Sequence, residues 1–212
     1  MAPSDVRDAL IVAAERLISE RGADVPLRDI ALLAGQRNNS AVHYYFGSRA
    51  GLIDAIVERR MVGLEQRRME MLAQTEIDGT ANDMRTLVWM LAAPLLEIPR
   101  GEGATHYLRF LEVVRNHPVV ADISRLTGTN RSASRIIATR LDQALGDQPI
   151  ERRTARLRAM STTMFALLAD HERARDGGDN ASGHVELAAD EIVDLLVGLL
   201  IAPSTAKKTP AR

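Results

Sequence analysis

Apolar residues recur every three to four positions over most of this chain, the spacing that lines one face of an α-helix. Val6, Leu10, Ala13, Ala14, Leu17 and Ile18 form the first such stripe, with Ser4 as candidate N-cap, Asp5 in the first turn and Gly22 as the stop. Pro26 suits the first position of a segment of about two turns, in which Ile30, Ala31 and Ala34 are apolar and Gly35 ends the run. Gln36 to Asn39 predict a turn, and Asn39 or Ser40 can cap a third short helix that holds Val42, Tyr45 and Phe46 and stops at Gly47. Ser48 caps a longer fourth helix with Leu52, Ile53, Ile56 and Val57 inward, running toward Leu72. Two short helices joined by a tight turn, with a longer helix on each side, describe a helix-turn-helix unit.

Beyond Met84 the stripes lengthen and predict helices near 84–96, 104–116, 118–126, 130–145, 151–173 and 185–201. The first of these is apolar around its whole circumference, through Leu87, Val88, Trp89, Met90, Leu91 and Leu95, as in a helix buried on all sides. Pro94 is expected to kink or end it and to leave room beside it. Leu157, Met160, Met164 and Leu168, together with Ala188, Ile192, Leu195 and Leu199, are expected to form a four-helix interface between two copies of the chain.

Composition narrows the class. Aromatics make up 3% of 212 residues, and strands need aromatic and β-branched side chains to cover a pleated face, so the expected fold class is all-α. The absence of cysteine removes disulfides, thiolate metal sites and cysteine nucleophiles. The longest uncharged stretches, 86–96 and 195–206, fall short of the roughly 18 apolar residues of a membrane span. Asp5 and Asp8 carry the wrong charge for a secretory signal, so a cytoplasmic location without a membrane partner is expected. The formal charge is −1, and the first sixty residues hold 8 Arg against 8 Asp plus Glu. Nucleic-acid binding therefore has to rest on local arrangement.

That arrangement is found between Leu27 and Leu52, where three of the chain's aromatics stand together as Tyr44, Tyr45 and Phe46. Neighbours on a helix point about 100° apart, so one tyrosine hydroxyl must face outward, where it can donate to a phosphate oxygen. Phe46 is expected in the core. Arg28-Asp-Ile-Ala31, Ala34-Gly35, Tyr44-Tyr45-Phe46-Gly47-Ser48-Arg49 and Leu52 resemble the N-terminal domain of the TetR (tetracycline-repressor-like) family. This sequence departs from the family pattern in having Arg49 where lysine is more frequent, Gly51 where larger residues are common, and His43 at a variable position.

The resemblance implies a helix-turn-helix DNA-binding domain over residues 1–50 and a helical regulatory, ligand-binding and dimerisation domain over 51–203; Lys207, Lys208 and Pro210 make 204–212 read as a disordered tail. It also implies that Asn39, Ser40, Ala41 and His43, on the exposed side of the third helix, approach base edges. Asn39 can equally serve as a helix cap. Arg28, Tyr44, Tyr45 and Arg49 would hold phosphates, although Arg28 can also reach a guanine, or instead pair with Asp24 or Asp29. Arg49 lies in the first turn of the fourth helix, where its charge does not help the helix dipole and the free N–H groups already favour a phosphate.

The expected function is a sequence-specific DNA-binding transcriptional regulator, a homodimeric repressor released from its double-stranded operator by a small-molecule effector. The alternative is an all-α sensor protein that does not bind DNA. Trp89, His106, Tyr107, Phe110 and Phe165 are candidates to line an effector pocket, against the alternative of a filled core. No metal, cofactor or catalytic residue is expected: His43, His106, His117, His171 and His184 show no ligand spacing, and Asp170-His171-Glu172 diverge on a helix. An enzyme would have to use His106, Arg109 and Glu112, of which 109 and 112 are spaced for an ordinary ion pair. The run Arg152, Arg153, Arg156 and Arg158 is expected to be solvated or to pair with Asp190, Glu191 and Asp194.

Overall fold

The structure is a computed structural model that describes residues 3–38, 40–98, 106–121, 132–177 and 187–203. Among the described residues it contains ten α-helices and no strand: α1 Pro3–Arg21, α2 Leu27–Leu33, α3 Ala41–Phe46, α4 Arg49–Ile77, α5 Met84–Leu96, α6 Tyr107–Val113, α7 Pro118–Ala121, α8 Ser132–Ala144, α9 Ile150–Gly177 and α10 Ala189–Ile201. The all-α class is as the sequence predicts. Ser4 is not a cap, because α1 begins at Pro3, and Pro26 is the N-cap of α2 rather than its first residue. The expected tail 204–212 and parts of the helices expected at 104–116, 118–126, 130–145 and 185–201 lie outside the described residues.

α1, α2, α3 and the start of α4 close around Leu10, Ala14, Ile18, Ile30, Ala31, Val42, Leu52 and Ile56, each fully buried. This small core continues into the larger one without a break. α4 runs from the head into the bundle as one helix of 29 residues and packs against α5 and α8, while α1 also packs against α6. α6 rests on α9, and α9 on α10. The position 50/51 falls inside α4.

A buried ionic cluster fixes α4 within the bundle. The Glu65 carboxylate accepts from the backbone N–H groups of Ala133 and Ser134 at 3.0 and 3.1 Å, and from the Ser134 hydroxyl. A carboxylate of α4 thus satisfies the first turn of α8, where free N–H groups and the helix dipole favour an anion. Arg68 pairs with Glu65 at 3.2 Å and donates to the Leu91 carbonyl of α5 at 3.1 Å. Burial of this pair is tolerable because both charges are hydrogen-bonded. Pro94 does not end α5, which continues to Leu96.

The expected four-helix interface needs correction. Met160, Met164, Leu168 and Ile192 are buried in their own protomer, because α9 and α10 turn these stripes onto α5 and α6. Leu157 packs against the same core, and Leu195, Leu199 and Ala188 are exposed. The basic run is also partnered differently. Arg153 binds Asp142, and Arg156 donates to the carbonyls of Leu200 and Ala202 at the end of α10. Asp190 and Asp194 bind Arg85 of α5 at 2.7 and 2.8 Å. Those hydrogen bonds, Asp190's first, raise the Arg85 pKa above its ordinary value. Arg109 and Glu112 do not pair with each other: Glu112 binds Arg173, and Arg109 binds Glu172 and Asp176.

Candidate nucleic-acid interface

The turn between α2 and α3 is built by backbone geometry and one amide. Gly35 and Gly47 have φ of 71° and 72°, left-handed values that suit glycine at a helix end. Asn38 Oδ1 accepts from the Ser40 N–H at 2.9 Å and from its hydroxyl at 2.7 Å. That Asx turn aims the chain into α3, and Asn38 was not singled out from the sequence although Asn in a turn is its signal. Ser40 is the N-cap by position but makes no side-chain cap bond. Asn39 lies outside the described residues.

α3 divides into an inner and an outer side. Ala41 and Val42 are buried, so Ala41 does not lie on the exposed side; its methyl fills the seat of the helix next to Val42. His43 and Tyr44 face outward, with Tyr44 82% exposed, while Tyr45 and Phe46 are half-buried against the head's core. Tyr44 meets Tyr45 edge to face at 5.0 Å, and the Arg7 guanidinium lies 5.3 Å from the Phe46 ring centre. His43 Nδ1–H donates to the Gly47 carbonyl at 3.1 Å, which leaves the far edge of the ring outward.

The two arginines differ. Arg28 is 73% exposed, with a long 3.5 Å contact to Asp29, itself shared with Arg21. Arg49 is half-buried and donates to the Ala23 carbonyl at 2.7 Å, tying the start of α4 to the loop between α1 and α2. A structural task therefore accounts for the charge that looks misplaced at that helix start. Ser48 caps α4 by accepting from the Gly51 N–H at 3.1 Å. Gly51 has its own reason: a Cβ there would sit 2.2 Å from the Phe46 carbonyl oxygen.

Farther along α4, Arg60 binds Glu15 of α1 through contacts of 3.0, 3.2 and 3.3 Å. Its guanidinium also stands 5.5 Å from the centre of the Tyr107 ring on α6. Tyr107 borders a cavity of about 320 Å³ whose other walls are Leu95, Leu96, Glu97, Ile98 and Leu108, with His171, Glu172 and Arg175 from α9. Of the other residues expected in a pocket, Phe110 is buried and stacked on Tyr107 at 6.0 Å, and Trp89 and Phe165 are half-buried against the core. His106 is the N-cap of α6 and accepts from Arg109 at 2.6 Å. Among the described residues no group of three or more His, Asp or Glu side chains could hold a metal ion, and no helix is long and apolar enough to cross a membrane.

Residues 10–56 match the family model of the bacterial regulatory proteins of the tetR family, and residues 89–198 match the model of the tetracyclin repressor-like C-terminal domain. A comparison with curated proteins finds no match. The fold is similar to the crystal structure of NalD, the secondary repressor of the MexAB-OprM multidrug efflux pump in Pseudomonas aeruginosa. NalD is 17% identical with a TM-score of 0.52, over 94% of this chain and 95% of that one. A second crystal structure, of native NalD, is 18% identical with a TM-score of 0.51, over 93% and 96% of the two chains. With a head built on α2, its turn and α3, and with the larger model spanning most of the bundle, the chain belongs to the TetR family of DNA-binding transcriptional regulators.

Proposed function

We propose that two copies of the chain bind one double-stranded operator as a cytoplasmic homodimeric repressor and leave it when a small molecule occupies the C-terminal bundle. The observation that carries this reading is the division of α3: Ala41 and Val42 seat the helix while His43 and Tyr44 stand outward. In a major groove the outer edge of His43 faces bases, with Ser40 and Asn39 at the helix start, and Tyr44 and Arg28 reach phosphates. Arg49 acts mainly as a brace, and Tyr45 as a half-buried support. No catalytic step is part of this function.

Dimerisation is supported by the outer faces of α9 and α10. A shallow groove lies along α9, with Ala155 and Ala159 among its walls, and on α10 Leu195, Leu199 and Ile201 are 50%, 38% and 62% exposed. Exposed apolar surface of this kind gains by meeting its symmetric copy. The effector is proposed to enter the cavity beside Tyr107. Its apolar walls on α5 and α6 and its polar side on α9 suit a compact, largely apolar molecule with one polar end. Half-sites lie about 34 Å or a multiple apart, so a small change in the spacing of the two heads costs affinity.

The test is a mobility-shift titration of the purified protein with DNA from its own promoter, with sedimentation of the complex. Sequence-preferring binding by a dimer is expected. A folded protein that binds no DNA better than random duplex would instead support a sensor protein.

A further inference from the structure

We infer that Tyr107 is the positioning residue that passes occupancy of the cavity to the DNA-binding head, through Arg60 of α4 and Glu15 of α1. The inference rests on the proposed effector role of that cavity. Tyr107 is 1% exposed and is the first residue of α6, so it borders the cavity while its ring supports the Arg60 guanidinium. Its position is held from α9: Glu172, also a wall of the cavity, accepts from the backbone N–H groups of Leu108 and Arg109 at 3.3 and 3.1 Å. A molecule in the cavity therefore presses on both the ring and the carboxylate that anchors the start of α6.

On the other side of the ring's cation the geometry leaves little slack. The Glu15 side chain is 6% exposed and the Arg60 side chain 23%, and the carboxylate takes three contacts from that guanidinium. A charge pair this enclosed is not readily exchanged for water. Displacement of the ring thus moves Arg60 and Glu15 together, shifting α1 and the head-proximal part of α4 relative to the bundle. The Glu65 and Arg68 cluster, about two turns farther along and near the middle of α4, holds the helix to α5 and α8. α4 then pivots about a fixed point.

Cavity filling replaces the unknown ligand in the test. Leu96→Trp, at a half-buried position of the cavity wall, serves as the occupant, and affinity is read by fluorescence anisotropy on a duplex that the full-length dimer selects from a random pool. The filled protein is expected to bind that duplex about tenfold more weakly than the unfilled one. In an Arg60→Gln background the same filling should change affinity by less than about twofold. Tyr107→Phe, which keeps the ring, should preserve the tenfold response, and Tyr107→Leu should abolish it; this second pair decides the matter if Arg60→Gln does not fold. Equal responses with and without Arg60 and with Leu at 107 would overturn the relay while leaving the cavity as effector site. No response to filling in the otherwise unaltered chain, folded and dimeric, would overturn the effector reading and the relay with it.

Discussion

Gly51 lies directly against the main chain of Phe46, so that a Cβ built on it falls 2.2 Å from the Phe46 carbonyl oxygen. The end of α3 and the first turn of α4 therefore approach more closely than any other residue at 51 permits. Alanine in an open helix site stabilises by about 0.5–1 kcal/mol relative to glycine, whereas overpacking costs about 1–3 kcal/mol. Gly51→Ala is expected to lower the unfolding free energy and weaken DNA binding. Gly63→Ala, in the same helix with nothing within 4 Å of its Cβ, should raise stability instead. Urea unfolding of the two variants checks this; a gain in both would show that the contact does not set α3.

Arg28 and Arg49 should separate in their effects. Arg28→Ala is expected to weaken binding to all DNA sequences and lower the salt slope by about one per subunit, with stability changed by less than about 0.5 kcal/mol. Arg49→Ala should also lower the melting temperature, since the Ala23 carbonyl loses its partner at 2.7 Å, a loss of about 1–3 kcal/mol. Binding at several salt concentrations, beside thermal unfolding, reads both; an unchanged melting temperature for Arg49→Ala would deny the brace.

Glu65→Ala leaves Arg68 buried without its carboxylate and removes the anion at the start of α8. The expected loss is about 3–5 kcal/mol, and a combined Glu65→Ala, Arg68→Met variant should lose less than Glu65→Ala alone. Equilibrium denaturation decides; a loss below about 1 kcal/mol would show that the cluster does not hold α4.

Leu195→Asp and Ile192→Asp test the outer face of α10. Leu195 is 50% exposed in the protomer and Ile192 is fully buried. Sedimentation should find Leu195→Asp monomeric with its helical circular dichroism intact, whereas Ile192→Asp should unfold. A Leu195→Asp protein that remains a dimer would place the interface elsewhere.

The helical layout was legible because each stripe has the same period and a glycine follows the end of each of the first three helices, at Gly22, Gly35 and Gly47. The unbroken apolar run bounds α5 at Met84 and Leu96, as the structure has it. What the sequence could not supply were choices between surfaces. An apolar stripe such as Met160 to Leu168 looks the same whether it meets its own bundle or a second copy, and the outcome depends on how α9 is rotated. The inner placement of Ala41 was not legible because the six residues of α3 make fewer than two turns, too short a run to show which face is inner. Partners far apart in the chain, such as Glu65 with Ser134 or Arg49 with Ala23, leave no local trace.

The pairing of Glu15 with Arg60 sets where this regulator can be cut and joined to another. A graft that transferred residues 1–50 would carry a nearly enclosed carboxylate into a host without its guanidinium, and the host's α4 would have to supply a cation at the same height. A chimera joined beyond Arg60 keeps that pair but brings its cation over whatever ring the recipient's α6 provides, so recipients with an aromatic there should accept this DNA-reading head and others should reject it.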